Sequence, residues 1–293
     1  MLDKVVLDEK YAGMAYEIFC DKNWETEYLE GEISAFDRFC ERLAILENDE
    51  QRELVLELTK DYMKIAMTEY EKLLIKAWRG YLDNNPFRLE DDEMLPICPI
   101  LIEEDFGKEK SGSMVLYMCG SLELRRFSLF SDEQIRLCSS PALLVDLFIK
   151  KRCNAKRIVL IDDYIGSGES AIGCISYLEK HEIDRNKIDI IALVAQEEAV
   201  RILKDEGIMV YSALTRKKGI SDKYKEDEIE NKISIMKRIE SNLKVDSKYS
   251  LGYNKTEALI SLIKTPNNTF PVFWYENKKS RAPFPRKKNI KVI

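Results

Sequence analysis

Between Arg157 and Leu214 the sequence alternates short apolar runs with helical segments, and that alternation leaves few folds open. Arg157 to Ile161 reads as a strand, Glu169 to Lys180 as a helix, Ile188 to Ala195 as a strand, Glu197 to Glu206 as a helix and Ile208 to Leu214 as a strand. Such a succession predicts an α/β fold, a parallel sheet with helices on both faces. Upstream, Leu95 to Ile102 reads as another strand, followed by a loop, and Pro141 to Lys150 as a helix with proline in its first turn.

The flanks differ from this core. Residues 1–90 read as a helical N-terminal region: Phe36, Phe39, Cys40, Leu43 and Ala44 recur at helical spacing, and Leu54, Leu58, Tyr62, Ile65, Leu73, Ala77 and Tyr81 carry an apolar stripe up to Asn84-Asn85-Pro86. Such stripes either cover the domain that follows or bind a protein partner. The expected organisation is therefore 1–90 helical, 91–215 α/β core and 216–293 C-terminal helices with a basic tail. The C-terminal part is expected to hold one helix from about Asp222 to Leu243 and another from Lys255 to Lys264.

Charge narrows the choice of partners. The first ninety residues hold 12 Lys and Arg against 21 Asp and Glu, a balance of -9 within a total of -6, so the remainder carries +3. No global field favours nucleic acid or an anionic membrane. From Glu276 to Ile293, however, seven Lys and Arg face one acid, a stripe that could grip nucleic acid phosphates or simply lie solvated. The single histidine, His181, excludes Ser-His-Asp and multi-histidine metal chemistry and is expected at a helix end. The seven scattered cysteines lack zinc spacing and read as free thiols. Met1-Leu2-Asp3-Lys4 lacks a signal pattern and no apolar run reaches the ~20 residues that span a bilayer, so a cytoplasmic location is expected.

Chemistry concentrates in Ile158-Val-Leu-Ile-Asp-Asp-Tyr-Ile-Gly-Ser-Gly-Glu-Ser170. Ligands of open α/β sheets bind outside the carboxyl ends of strands, which is where Asp162 and Asp163 are expected. A carboxylate there accepts hydrogen bonds from the cis hydroxyls of a ribose, or holds a magnesium ion through water. Gly166 and Gly168 let backbone approach an anion, the helix beginning near Glu169 aims free N–H groups at it, and Ser167 and Ser170 add hydroxyl donors. A phosphate cup beside a diol and metal clamp is the charge layout of a phosphorylated ribose. An ordinary strand-to-helix turn is the alternative, and it accounts less well for the acids.

At these residues the chain resembles the type I phosphoribosyltransferase superfamily, whose fingerprint is four apolar residues, two acids, a variable stretch, then Thr or Ser, Gly, any residue, and Thr or Ser. Asp162, Asp163, Ser167, Gly168 and Ser170 match it. The resemblance covers roughly residues 95 to 215. It implies that Asp162 and Asp163 bind the ribose hydroxyls and that the loop from Gly166 to Ser170 binds the 5-phosphate of phosphoribosyl pyrophosphate or a nucleotide. It also implies a pyrophosphate loop after the first strand, for which Lys110, Ser111, Gly112 and Ser113 are the candidates. The purine salvage members carry an aspartate where this chain has Gly166, which counts against a purine base as substrate. Tyr164 replaces the usual aliphatic residue, leaving core packing and ring stacking both open.

Within Thr265 to Trp274, Asn267 and Asn268 offer amides to an acceptor base and Trp274 a stacking face, although a Pro-Asn turn leading into a buried strand explains them better. Through Gly252-Tyr253 and this Pro-Asn-Asn-Thr ending the chain is similar to phosphoribosyltransferase-like effectors of bacterial conflict systems, which implies a role in anti-phage defence beside modules such as retrons. Three functions follow for test: an enzyme transferring ribose 5-phosphate with Mg²⁺, a non-catalytic sensor of a nucleotide or phosphoribosyl pyrophosphate signalling through protein partners, and an interaction protein that uses the helical region alone.

Overall fold

A computed structural model of the chain describes residues 6–27, 33–85, 90, 92–108, 110–121, 134–277 and 280–286. The chain packs as two compact units, one of residues 66–216 and one joining 1–65 to 217–293. The divisions thus fall at 65/66 and 216/217, where the sequence suggested 90/91 and 215/216.

With elements numbered in chain order, the unit built from both chain ends holds α1 (Glu9–Asp21), α2 (Ala35–Ala44), α3 (Asp49–Asp61), β1 (Met63–Lys64), α9 (Glu226–Asn242), β7 (Ile260–Ser261) and α10 (Pro271–Trp274). Side-chain caps start the helices: Ser34 accepts the Asp37 amide N–H at 3.0 Å ahead of α2, and Asn48 accepts that of Gln51 at 3.0 Å ahead of α3. Phe39 and Leu43 of α2, Leu54 and Leu58 of α3, Met236 and Ile239 of α9, and Phe270 and Phe273 form one buried core. The N-terminal apolar stripes as far as Tyr62 are therefore packing surfaces of this unit. The guanidinium of Arg42, wholly buried, donates to the carbonyls of Tyr275 (2.6 Å) and Arg281 (2.7 Å), tying α2 to the C-terminal segment. Arg286 of the basic tail donates to Thr265 O at 2.8 Å, and residues 278–279 and 287–293 of that tail lie outside the described residues.

The helix expected from Lys255 to Lys264 does not form. A 3-10 turn spans Tyr253–Lys255, Asn254, Lys255 and Glu257 take positive φ, and β7 follows, pairing in parallel with β1. The backbone here bonds across to the Pro-Asn segment instead of along a helix. Tyr253 N–H donates to Asn267 O at 2.8 Å, Ala258 N–H to Asn268 O at 3.2 Å, and the Thr256 hydroxyl to Asn268 O at 2.8 Å. The buried Glu257 carboxylate accepts the amides of Ile220 and Ser221.

The α/β unit holds α4 (Met67–Asn84), β2 (Leu95–Pro99), α5 (Ser111–Cys119), β3 (Ile135–Leu137), α6 (Pro141–Ile149), β4 (Ile158–Ile165), α7 (Glu169–Lys180), β5 (Ile188–Gln196), α8 (Glu197–Asp205) and β6 (Met209–Arg216). Five strands lie parallel in the order β3-β2-β4-β5-β6, as expected of helices covering both faces. β5 is buried along its whole length. Helix α4, assigned from sequence to the N-terminal region, belongs here because its buried face (Tyr70, Leu74, Ala77, Trp78, Tyr81) covers β5 and β6. Near its C-terminal end the Tyr81 ring meets Tyr211 edge-on at 5.2 Å, and Asn85 donates to the Tyr211 hydroxyl at 2.9 Å. All seven cysteines are free, four of them buried. No helix among the described residues is long and apolar enough to cross a membrane.

Gly252 sits at φ +79°, and a Cβ added there would overlap the Asn268 carbonyl. Gly252→Ala is expected to destabilise the protein by about 3 kcal/mol through strain and backbone displacement, measurable as a lowered urea midpoint.

Candidate functional site

The chain runs from β2 outward to β3 and returns to β4 on the other side of β2, so the sheet has its topological switch point between β2 and β4. Crevices of this kind, at the carboxyl ends of the two diverging strands, are where open α/β sheets take ligands. β4 pairs with β2 only as far as Pro99↔Ile161, whereas its pairing with β5 continues to Ile165↔Ala195. Asp162 and Asp163 occupy the stretch of β4 that has lost its neighbour on the β2 side. They lie within the strand, not beyond its end.

The two carboxylates are in different surroundings. Asp163 is 6% exposed and accepts the Tyr70 hydroxyl at 3.0 Å on Oδ2; Asp162 is half-buried and accepts the Ser111 hydroxyl at 3.3 Å and the Asp163 amide at 2.8 Å, both on Oδ1. Burial, followed by the negative charge of Asp163, pushes the Asp162 carboxyl well above the usual carboxylate range. Burial raises Asp163 as well, held in check by hydrogen bonds from Ser111 and Tyr70. A ligand that brings hydroxyl donors or positive charge to this pair would relieve that tension.

The predicted pyrophosphate loop meets the acids. Lys110 is the N-cap of α5, and Ser111, Gly112 and Ser113 form its first turn rather than a free loop. Gly112 is set so close to β4 that a Cβ would come to 3.2 Å from Ile161 O and 3.3 Å from an Asp162 carboxylate oxygen. Lys110, the one cation in that group, is held by Asp105 at 2.8 Å, and Asp105 also receives Lys108. The segment leading there is docked on α7 through Phe106, whose ring meets Tyr177 at 5.2 Å.

After β4 the chain turns through Gly166 and Ser167 to Gly168, the N-cap of α7, at φ +84° in the left-handed region that glycine tolerates. Ser167 Oγ accepts the Glu169 amide at 3.5 Å, and Glu169 and Ser170 are exposed at the helix start. The Tyr164 hydroxyl is buried without a hydrogen-bond partner among the described residues, and burial raises its pKa.

The acceptor candidates Asn267, Asn268 and Trp274 belong to the other unit, where they make hydrogen bonds within it. Asn267 O accepts Tyr253 N–H, the Asn268 amide donates to Tyr253 O at 3.3 Å, and the buried Trp274 donates to Thr269 O at 2.7 Å. Trp274 closes a short helix where a strand was the alternative. His181 caps the C-terminal end of α7 with Nδ1 2.9 Å from Tyr177 O. Sequence reasoning missed Tyr70 and Asp105. Tyr70 stands ninety-three residues before its partner, on a face that reads as packing, and nothing local marks its hydroxyl.

Five parallel strands, with acids in the carboxyl-terminal half of the central one and a glycine-bearing turn into a helix, make this a phosphoribosyltransferase-type domain. The family model PRTase-CE matches residues 36–286, and the chain belongs to that family. The match runs well beyond the 95–215 stretch that carries the fingerprint and includes residues of both units. Membership implies a phosphoribosyltransferase-like function and a ligand of the nucleotide or phosphoribosyl pyrophosphate class. No curated protein matches the chain.

Since Asp162 binds its proton more tightly folded than unfolded, its contribution to stability is full below the ordinary carboxylate range near about pH 4 and is lost as pH rises through the raised value. Asp162→Asn is thus expected to raise the ligand-free melting temperature at pH 7 and to flatten its decline with pH, as calorimetry across pH 4 to 8 will read.

Proposed function

We propose that the protein binds phosphoribosyl pyrophosphate, or a nucleotide carrying ribose 5-phosphate, in the crevice beside β4 and transfers the ribose phosphate to a nitrogen or water nucleophile. The observation that carries this reading is the α5 N-terminus abutting Asp162 of the acidic pair at the switch point, on the strand that runs on through the Gly168 turn into α7. The acids suit the ribose diol, the α7 N-terminus suits the 5-phosphate, and the first turn of α5, with free amides and Lys110, suits the pyrophosphate. In such a transfer the bond from the anomeric carbon to the pyrophosphate oxygen breaks ahead of bond formation to the nucleophile, so positioning and charge stabilisation matter more than a side-chain base.

Magnesium fits the donors present. Asp162, Asp163 and Ser111 are all oxygen ligands suited to a hard cation, and a cation would pull the raised carboxyl pKa values back down. When bound, the ion would neutralise pyrophosphate charge.

One observation favours a sensor instead: the Lys110–Asp105 pair occupies the cation that pyrophosphate would need. Pyrophosphate release from the wild type, tested across nucleobases, nucleotides, nucleic acid and proteins, separates the two. The anti-phage role implied by resemblance is tested by plating phage on cells carrying the protein with and without Asp162→Asn.

Phosphoribosyl pyrophosphate with Mg²⁺ at about 100 times its dissociation constant is expected to stabilise the fold by ~2.7 kcal/mol, seen as a raised melting temperature, with inorganic phosphate doing much less. Asp162→Asn with Asp163→Asn removes the Mg²⁺-dependent part, and a full shift in that double variant sinks the assignment. Ser167→Ala is expected to weaken binding by about 1 kcal/mol in titration calorimetry, and Gly168→Val by more.

A further inference from the structure

We propose that Tyr70 is a positioning residue of the sugar site, its hydroxyl fixing Asp163 from the α4 face so that Asp162 is the acid presented to the ligand. The inference rests on the ligand class proposed above. The two carboxylates lie side by side and each draws on the Ser111 hydroxyl, so what separates them is exposure and the Tyr70 bond. Asp162 stays half-exposed beside Gly112, whereas the buried Asp163 alone also accepts the hydroxyl of the wholly buried Tyr70.

The geometry forms a chain of three groups. Tyr70 Oη donates to Asp163 Oδ2 at 3.0 Å, and the Asp163 amide donates to Asp162 Oδ1 at 2.8 Å. A hydrogen bond to a carboxylate out of water is of the stronger kind, and without it Asp163 would be a buried charge with one partner fewer. Packing does not call for the hydroxyl, because phenylalanine would fill the same ring space on α4. Its effect falls on which way Asp163 points, and through the shared backbone on Asp162. Helix α4 lies outside the phosphoribosyltransferase fingerprint, so the unit supplies the site with a residue that the fingerprint does not contain.

The test uses the full chain, with titration calorimetry of phosphoribosyl pyrophosphate plus Mg²⁺ and crystal structures without ligand. Tyr70→Phe is expected to keep the circular dichroism of the wild type, to turn the Asp163 carboxylate into a new rotamer and to weaken binding roughly tenfold. Asp162→Asn should remove binding. Placed on Asp163→Asn, Tyr70→Phe should cost little more, since the hydroxyl acts through that carboxylate. An Asp163 rotamer left unchanged overturns the inference whatever the affinity does. So does a lowered melting temperature with unaltered affinity, or a Tyr70→Phe effect that adds in full to that of Asp163→Asn. Failure of the wild type to bind the probe overturns the function proposed above instead, and the rotamer of Asp163 in Tyr70→Phe still decides the positioning role.

Discussion

Two carboxylates set side by side in the central strand of a buried sheet are costly, because each loses water and each repels the other. Around them the α/β unit supplies donors from two helices and from the strand itself. Ser111 comes from the first turn of α5, Tyr70 from α4, and the strand's own amide at Asp163 from between them. The compensation is partial, which is why both carboxyls remain displaced upward. The pair at the topological switch point is thus left incompletely satisfied. Stability has been given up at this point of the strand.

The same constraint explains why α4 belongs with the sheet. One end of that helix gives its hydroxyl to Asp163, and towards the other end Tyr81 and Asn85 meet Tyr211, while an apolar face between them covers β5 and β6. Gly252 and Asn268, which carried the second sequence resemblance, do comparable work in the other unit. The left-handed glycine lets the Asn268 carbonyl approach, and that carbonyl collects the amide of Ala258 and the hydroxyl of Thr256. Their pattern in the sequence is architectural, and the match to PRTase-CE across residues 36–286 includes this segment.

Much of the sheet was legible because its signals are local. Apolar runs bounded by glycine and charged residues gave β4, β5 and β6 in order, and the segment from Glu169 to Lys180 is a helix with the same ends that its periodicity suggested. The acids and the glycine turn were equally plain, since the spacing of Asp162, Asp163, Ser167, Gly168 and Ser170 lies within a single strand-turn-helix. Where the signal was wrong, a non-local interaction had prevailed. Lys255 to Lys264 has helical periodicity, yet its backbone bonds to residues 267–268 and its positive φ angles exclude a helix.

By itself the sequence determined the α/β class, the parallel order of β4, β5 and β6, and the chemistry available at the end of β4, because hydrophobic period and turn residues act over a few positions. Tertiary structure alone decided that α4 joins the sheet, that Ser111 and Gly112 reach Asp162, that Lys110 is held by Asp105, and that Tyr70 holds Asp163. Each of those pairings depends on which faces meet after the chain has closed, and a contact between residues ninety-three positions apart leaves no periodic trace in either of them.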